Sequence, residues 1–224
     1  MRLIEHLGQK YAQYHWSGDS PSIYALHGFM GSGRDFALLA QNLSVELWAW
    51  DLIGHGKSSV PLEERWYSLA GQLQFLKDTI PRDSILLGYS MGGRLALQFA
   101  CRHPQHIKGI VIVGGTPGIV GDQARQDRHR WDHQMASQIR ANGMSAFVEY
   151  WNKLPIIQSQ QNIASEHRQV MLDIRREHSE IGIANSIEYF GTGQMPHCWA
   201  ELATMDVPIL LLVGEQDQKY IDIA

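Results

Sequence analysis

Ser84-Ile85-Leu86-Leu87-Gly88-Tyr89-Ser90-Met91-Gly92-Gly93-Arg94-Leu95-Ala96-Leu97-Gln98-Phe99-Ala100 joins an apolar run, a G-x-S-x-G pattern and a helical repeat without a break. The run Ser84 to Leu87 reads as a buried strand, and Met91 to His103 carries the spacing of a helix. A strand that turns this sharply into a helix lifts the hydroxyl of Ser90 above the sheet. Glycines are needed on either side, because the strand and helix backbones crowd there. The start of the helix also supplies N–H groups that can hold an anion. An ordinary serine N-cap, worth about 1 kcal/mol, is the plain alternative. The strand-turn-helix context favours Ser90 as a nucleophile.

Outward from this turn the same grammar repeats. Ile23 to Leu26 runs into His27-Gly28, Val45 to Trp50 ends at Asp51, and Ile107 to Val113 ends at Gly114-Gly115. Short apolar runs of this kind suit parallel strands covered on both faces. With a helical pattern over Tyr67 to Thr79 between them, they predict a doubly wound α/β sheet. From Pro117 to Thr204 the chain turns polar and rich in Arg, Gln and His. Helices are expected at Gln123–Asn142, Met144–Asn152, Ser165–Arg176 and Ile183–Tyr189. Val207 to Gly214 then returns to a buried strand. The expected organisation is a core from residues 1–116 and 205–224, with a helical cap, 117–204, over the carboxyl edge of the sheet.

Composition narrows the function. The chain has 224 residues, 44% of them hydrophobic, and a net charge of -4 with no basic run, which argues against nucleic acid as a partner. No stretch of 18 apolar residues is present, so no membrane span is expected. Met1 to His6 lacks the apolar run of a secretory signal, and cytoplasm is the expected location. Cys101 and Cys198 make neither a disulfide framework nor a metal knuckle. Nothing in the sequence sets an oligomeric state.

Other strand ends carry further candidates. The glycine-rich turn His27-Gly28-Phe29-Met30-Gly31 can aim an N–H at the point served by the N–H of Met91, so Phe29 and Met91 are the expected oxyanion-hole donors. His27 reads as structural, and Asp51 with His55 as a structural turn. In Glu215-Gln216-Asp217, just past the last strand, Asp217 stands where a triad places its orienting carboxylate.

Together these strand-end motifs resemble the α/β-hydrolase fold, with Ser, Asp and His in chain order. The resemblance narrows through Arg94 after the elbow, Thr116-Pro117-Gly118, Arg128-His129-Arg130-Trp131-Asp132, Phe147 to Trp151 with Pro155, Gly182 to Ser186, Gly191-Thr192-Gly193 and Trp199. The chain is similar to the MenH family, the 2-succinyl-6-hydroxy-2,4-cyclohexadiene-1-carboxylate synthases of menaquinone or phylloquinone biosynthesis. That resemblance implies a lyase that eliminates pyruvate, with no metal and no organic cofactor. It implies a small polycarboxylate substrate held by Arg94, Arg128 and Arg175, with Arg130 and Arg176 nearby. Tyr89 and Trp151 are expected to line the pocket. Arginine suits the task because its planar fork binds carboxylate with two parallel hydrogen bonds. Met195 and Asn152 depart from residues common in the family. A carboxylesterase, thioesterase or carbon–carbon bond hydrolase is the first alternative, and a non-catalytic binding protein the second.

The chain order calls for a histidine after Asp217, yet the last histidine is His197. His197 precedes the late strand and is not expected to substitute. The residues after Asp217 cannot span a helix, a strand and a loop. The strand from Val207 to Val213 would also form an apolar sheet edge, an aggregation hazard. The expectation is a C-terminal segment beyond Ala224 that carries the histidine. A truncated, inactive form is the other reading.

Overall fold

The computed structural model covers residues 1–224, with side chains described for all but Ile156, Ser159 and Gln161. Its sheet has strands β1 (Arg2–His6), β2 (Gln9–Trp16), β3 (Asp19–Leu26), β4 (Val45–Trp50), β5 (Ser84–Tyr89), β6 (Ile107–Val113) and β7 (Ile209–Leu212). Their spatial order is β1-β2-β4-β3-β5-β6-β7. β1–β2 and β2–β4 pair antiparallel, and every pairing from β4 through β3, β5 and β6 to β7 is parallel. The helices are α1 (Ala37–Gln41), α2 (Leu69–Thr79), α3 (Met91–Arg102), α4 (Asp122–Trp151), α5 (Pro155–Gln158), α6 (Ser165–Glu177), α7 (Glu180–Phe190), α8 (Trp199–Thr204) and α9 (Gln218–Ile221).

The expected parallel strands are all present, with β3 longer than the apolar run alone marks. The antiparallel pair β1–β2 escaped the sequence reading because its strands mix polar and apolar residues. A two-residue turn, Leu7 (φ 51) and Gly8 (φ 82), joins them; positive φ at both turn positions matches the twist of the flanking strands. In β2, Gln13 is buried beside Tyr11, Ala12 and Tyr14, and Arg2 Nε donates to its Oε1 at 2.6 Å.

One face of the sheet packs its apolar side chains, Trp50 and Leu86 among them, with Phe75 of α2 and Phe99 of α3. Ala12, Tyr14, Leu47 and Ala49 form a second cluster with Phe36. The third lies between α4 and α7, where Met135, Ile139, Phe147, Ile183 and Ile187 meet. Met30, from the loop after β3, is buried in that third cluster. The expected break between two helices falls inside α4, at Gly143, whose φ of 76 and ψ of 172 kink the axis.

Beyond β6 the sheet thins out. Among the described residues, β7 pairs with β6 on one side and with no strand on the other. Leu210 is 54% exposed and Leu212 45%, unusual for a strand built only of isoleucine and leucine. Cys101 at the end of α3 and Cys198 before α8, 97 residues apart, are neighbours: the Cys101 thiol points to the Cys198 carbonyl at 3.8 Å. Both are free thiols. Among the described residues no helix is long and apolar enough to cross a membrane.

Candidate active site

Ser90 sits between β5 and α3 at φ 51 and ψ -105, a backbone conformation that costs an L-residue about 1–3 kcal/mol. Its neighbours over-determine it. Ser90 N–H donates to Val113 O at 2.9 Å, and Gly92 N–H to His27 O at 3.1 Å. A Cβ on Gly92 would lie 2.0 Å from the Leu26 carbonyl oxygen, and one on Gly88 would lie 2.4 Å from that of Gly92. Only glycine fits either place. Although Ser90 occupies the N-cap position of α3, its side chain makes no capping hydrogen bond. The hydroxyl is thus left for other chemistry.

Phe29, in the loop after β3, and Met91, the first residue of α3, flank this point. Among the described residues neither backbone N–H has a hydrogen-bond partner, as an anion-binding pair requires. The carbonyl of Gly28, in the same peptide unit as the Phe29 N–H, accepts from His27 Nδ1 at 2.7 Å and from Gly31 N at 2.9 Å. His27 Nε2 accepts from Leu52 N–H at 2.9 Å, which fixes its tautomer. Burial pushes the His27 ring well toward the neutral form. Asp51 is buried and held by Ser32 Oγ (2.6 Å), Gly33 N (2.8 Å), Lys57 N (2.8 Å) and Tyr14 OH (3.2 Å). These bonds tie the loops after β3 and β4 to strand β2, and neither Asp51 nor His55 borders the Ser90 cavity.

That cavity, about 520 Å³ and open to solvent, lies between the sheet's carboxyl edge and the cap. Ser90, Phe29, Tyr89, Met91, Arg94, Arg128, Trp151 and Asp217 all border it, as do Lys219 and Tyr220. Asp217 caps α9, its carboxylate accepting from Tyr220 N–H at 3.3 Å. Arg94, one turn along α3, donates from Nη1 to Phe190 O at 3.1 Å. Burial, with the charge of Arg128 next, brings its guanidinium down to about 10, so it stays charged at neutral pH. Arg128 Nε donates to buried Asp132 at 2.7 Å, and the other carboxylate oxygen accepts from Gly193 N–H at 2.9 Å. Lys219 is also held down, by burial first and then by Arg128. Arg94, Arg128 and Lys219 therefore repel one another across one cavity, which favours a ligand with several negative charges.

Arg175 stands apart from this group. It borders a small adjoining pocket with Phe29, Tyr89 and Gln160 rather than the Ser90 cavity. Its guanidinium is pinned, Nη1 to Asn152 Oδ1 at 2.7 Å and Nη2 to Gln160 Oε1 at 2.6 Å. His197 packs against Gly118 at the root of the cap, where a Cβ on Gly118 would meet its Cα at 2.6 Å. No histidine lines the Ser90 cavity among the described residues. Sequence reasoning missed Lys219 and Tyr220. The signal was available, since a short turn after Asp217 must place its neighbours at the same sheet edge.

Residues 21–220 match the family model of the alpha/beta hydrolase fold. The putative 2-succinyl-6-hydroxy-2,4-cyclohexadiene-1-carboxylate synthase of Bacillus subtilis is 36% identical over 209 residues, 91% of this chain and 76% of the relative. The chain belongs to this synthase family of α/β hydrolases. The synthase of Photorhabdus laumondii is 30% identical over 92% of the chain and 74% of its own length. The solved structure of MenH from S. aureus superposes with a TM-score of 0.86 at 29% identity, over 94% of this chain and 82% of that one. A carboxylesterase from Nitrososphaera gargenis, at 16% identity and a TM-score of 0.79, shares the fold. Of the two departures from common synthase residues, Asn152 has a definite task here, as the acceptor that holds Arg175. Met195 is buried at 1% exposure.

Proposed function

We propose that the protein is a lyase of menaquinone or phylloquinone biosynthesis. It eliminates pyruvate from 2-succinyl-5-enolpyruvyl-6-hydroxy-3-cyclohexene-1-carboxylate, leaving 2-succinyl-6-hydroxy-2,4-cyclohexadiene-1-carboxylate. The observation that carries this reading is the set of cations Arg94, Arg128 and Lys219 around the cavity of an uncapped, strained serine. A pocket for a neutral ester would be apolar, whereas these charges match a substrate with several carboxylates.

In this reading Asp217 orients an imidazole that takes the proton of Ser90 Oγ. The seryl oxygen then removes a ring proton. The freed electron pair forms a C2=C3 double bond, the existing C3=C4 pair shifts to C4=C5, the bond from C5 to the enolpyruvyl oxygen breaks, and the enolpyruvate leaves, to be protonated as pyruvate. The Phe29 and Met91 amides hold charge that develops on a substrate carboxylate. Each step is a proton transfer or a heterolysis, so none needs a redox group. Arg175, Tyr89 and Trp151 shape the rest of the site, and the cytoplasm is its place.

The imidazole of this mechanism is assigned to a histidine outside residues 1–224. In support, β7 pairs with β6 alone among the described residues and keeps its apolar side chains 37–54% exposed, as a strand awaiting a further partner would. The intact mass of the natural protein checks this: a value clearly above 25.4 kDa is expected, and 25.4 kDa itself would contradict it.

The activity is tested with Arg94→Ala. Loss of a charged hydrogen-bonding partner is expected to lower kcat/KM for pyruvate release by about 100-fold, equivalent to ~3 kcal/mol. Hydrolysis of a small neutral ester should be little changed. The reverse pattern would support an esterase.

A further inference from the structure

His178 lies between α6 and α7, on the cap, yet both its ring nitrogens bond to backbone of the core. Gly56 N–H donates to Nδ1 at 2.9 Å, and Nε2 lies 2.9 Å from Met30 O. An amide donor at Nδ1 forces the proton onto Nε2, so Nε2–H donates to the Met30 carbonyl. The ring is 5% exposed, and burial pushes it down to about 4, which keeps the accepting nitrogen free at neutral pH. Both bonds are therefore present together under working conditions.

The loop they hold is strained and functional. Met30 adopts φ 57, a left-handed conformation rare for a non-glycine residue, and directly follows Phe29. Its side chain is buried among Met135, Ile139, Phe147 and Ile183 of the cap. On the other side of Phe29, His27 grips the Gly28 carbonyl at 2.7 Å. The peptide unit before Phe29 and the one after Met30 are thus each clamped by an imidazole. His55 fills the space between the clamps, with ring centroids 4.9 Å from His27 and 5.4 Å from His178. Gly56, the partner of Nδ1, is itself at φ 52 in the loop after β4.

We propose that His178 is a positioning residue of the oxyanion hole: from the cap, it fixes the Met30 carbonyl against the Gly56 amide and so sets the aim of the Phe29 N–H. This makes a seated cap a condition for a formed oxyanion hole. The proposal rests on the reading of Phe29 as an oxyanion donor in the lyase above. Loss of one side of the clamp loosens that donor without removing any group that touches the substrate. The signature is a fall in kcat with KM preserved.

The test uses the full natural protein and its His178→Ala and His178→Gln variants, each followed by pyruvate release and by amide hydrogen exchange. Outright loss of one oxyanion donor costs about 10²–10³ in kcat, so a loosened donor is expected to cost about tenfold. For His178→Ala we expect that fall in kcat, KM within about twofold, and faster exchange confined to residues 28–31 and 54–58. His178→Gln, which keeps an N–H near the Nε2 position, should recover most of the rate. Unchanged kcat in His178→Ala would overturn the proposal. So would faster exchange across the whole chain with no rescue by glutamine, which would mark a purely structural role. Were the parent protein to release no pyruvate, the lyase reading would fail, and exchange at residues 28–31 would still decide the role of His178.

Discussion

At the scale of single residues, the site is governed by backbone that has no room and no freedom. Ser90 stands at a φ that its neighbours impose, and the close approach of Gly92 to Leu26 makes the turn impossible with a side chain there. Gly92→Ala is expected to cost about 2–4 kcal/mol, because a 2.0 Å contact with a backbone oxygen can be relieved only by moving β3 or α3. Chemical denaturation of the variant against the parent measures this directly; equal midpoints would mean that the elbow is looser than its geometry. These positions were the most legible in the sequence. A glycine pattern between an apolar run and a helix has few other physical explanations. The histidines were less so: His27 was readable as structural, but the clamp formed with His178, 151 positions away in number, depends on cap packing that no local pattern encodes.

At the scale of elements, the cap is held by polar groups as much as by its apolar cluster. Asp132 of α4 is fully buried and joins Arg128 on its own helix to the Gly193 amide beyond α7. Removing it strands a cation and an N–H. Asp132→Ala should therefore destabilise the fold by about 3 kcal/mol and raise KM, since Arg128 loses its fixed aim into the cavity. A thermal melt and a substrate titration check the two halves; a raised melting temperature with unchanged KM would contradict both. The helices of the cap were readable from periodicity, including the break that the structure places at Gly143. The hairpin of β1 and β2 was not, because a strand flanked on both sides in a mixed sheet buries polar residues such as Gln13 through partners distant in sequence. The cation set was only partly legible. Arg94 and Arg128 lie on helices whose faces can be counted, whereas Lys219 needs the α9 turn, and Arg175 is drawn aside by Asn152 and Gln160.

For the whole molecule, buried imidazoles link stability to pH. Burial holds His27, His55 and His178 toward the neutral form, and for His178 the value falls to about 4. An unfolded histidine titrates near 6.5. Between about pH 6.5 and 4 the unfolded chain therefore binds protons that the folded one refuses, and stability falls as pH falls. His178 alone should account for about 3 kcal/mol across that window. His27 and Asp51, both near its ring, oppose one another electrostatically, and Arg34 adds to the preference for the neutral form. Unfolding free energies at pH 7 and pH 4.5 should differ less in His178→Gln than in the parent; an identical slope would assign the acid sensitivity to other groups.

The most direct measurement is the release of pyruvate from 2-succinyl-5-enolpyruvyl-6-hydroxy-3-cyclohexene-1-carboxylate by the purified natural protein, with Ser90→Ala as its control. Pyruvate should appear in equal amount with the cyclohexadiene product, and the variant should lose the activity by up to about 10⁶-fold. A protein that binds the adduct and leaves it intact, or a Ser90→Ala variant as fast as the parent, would contradict a serine-dependent lyase.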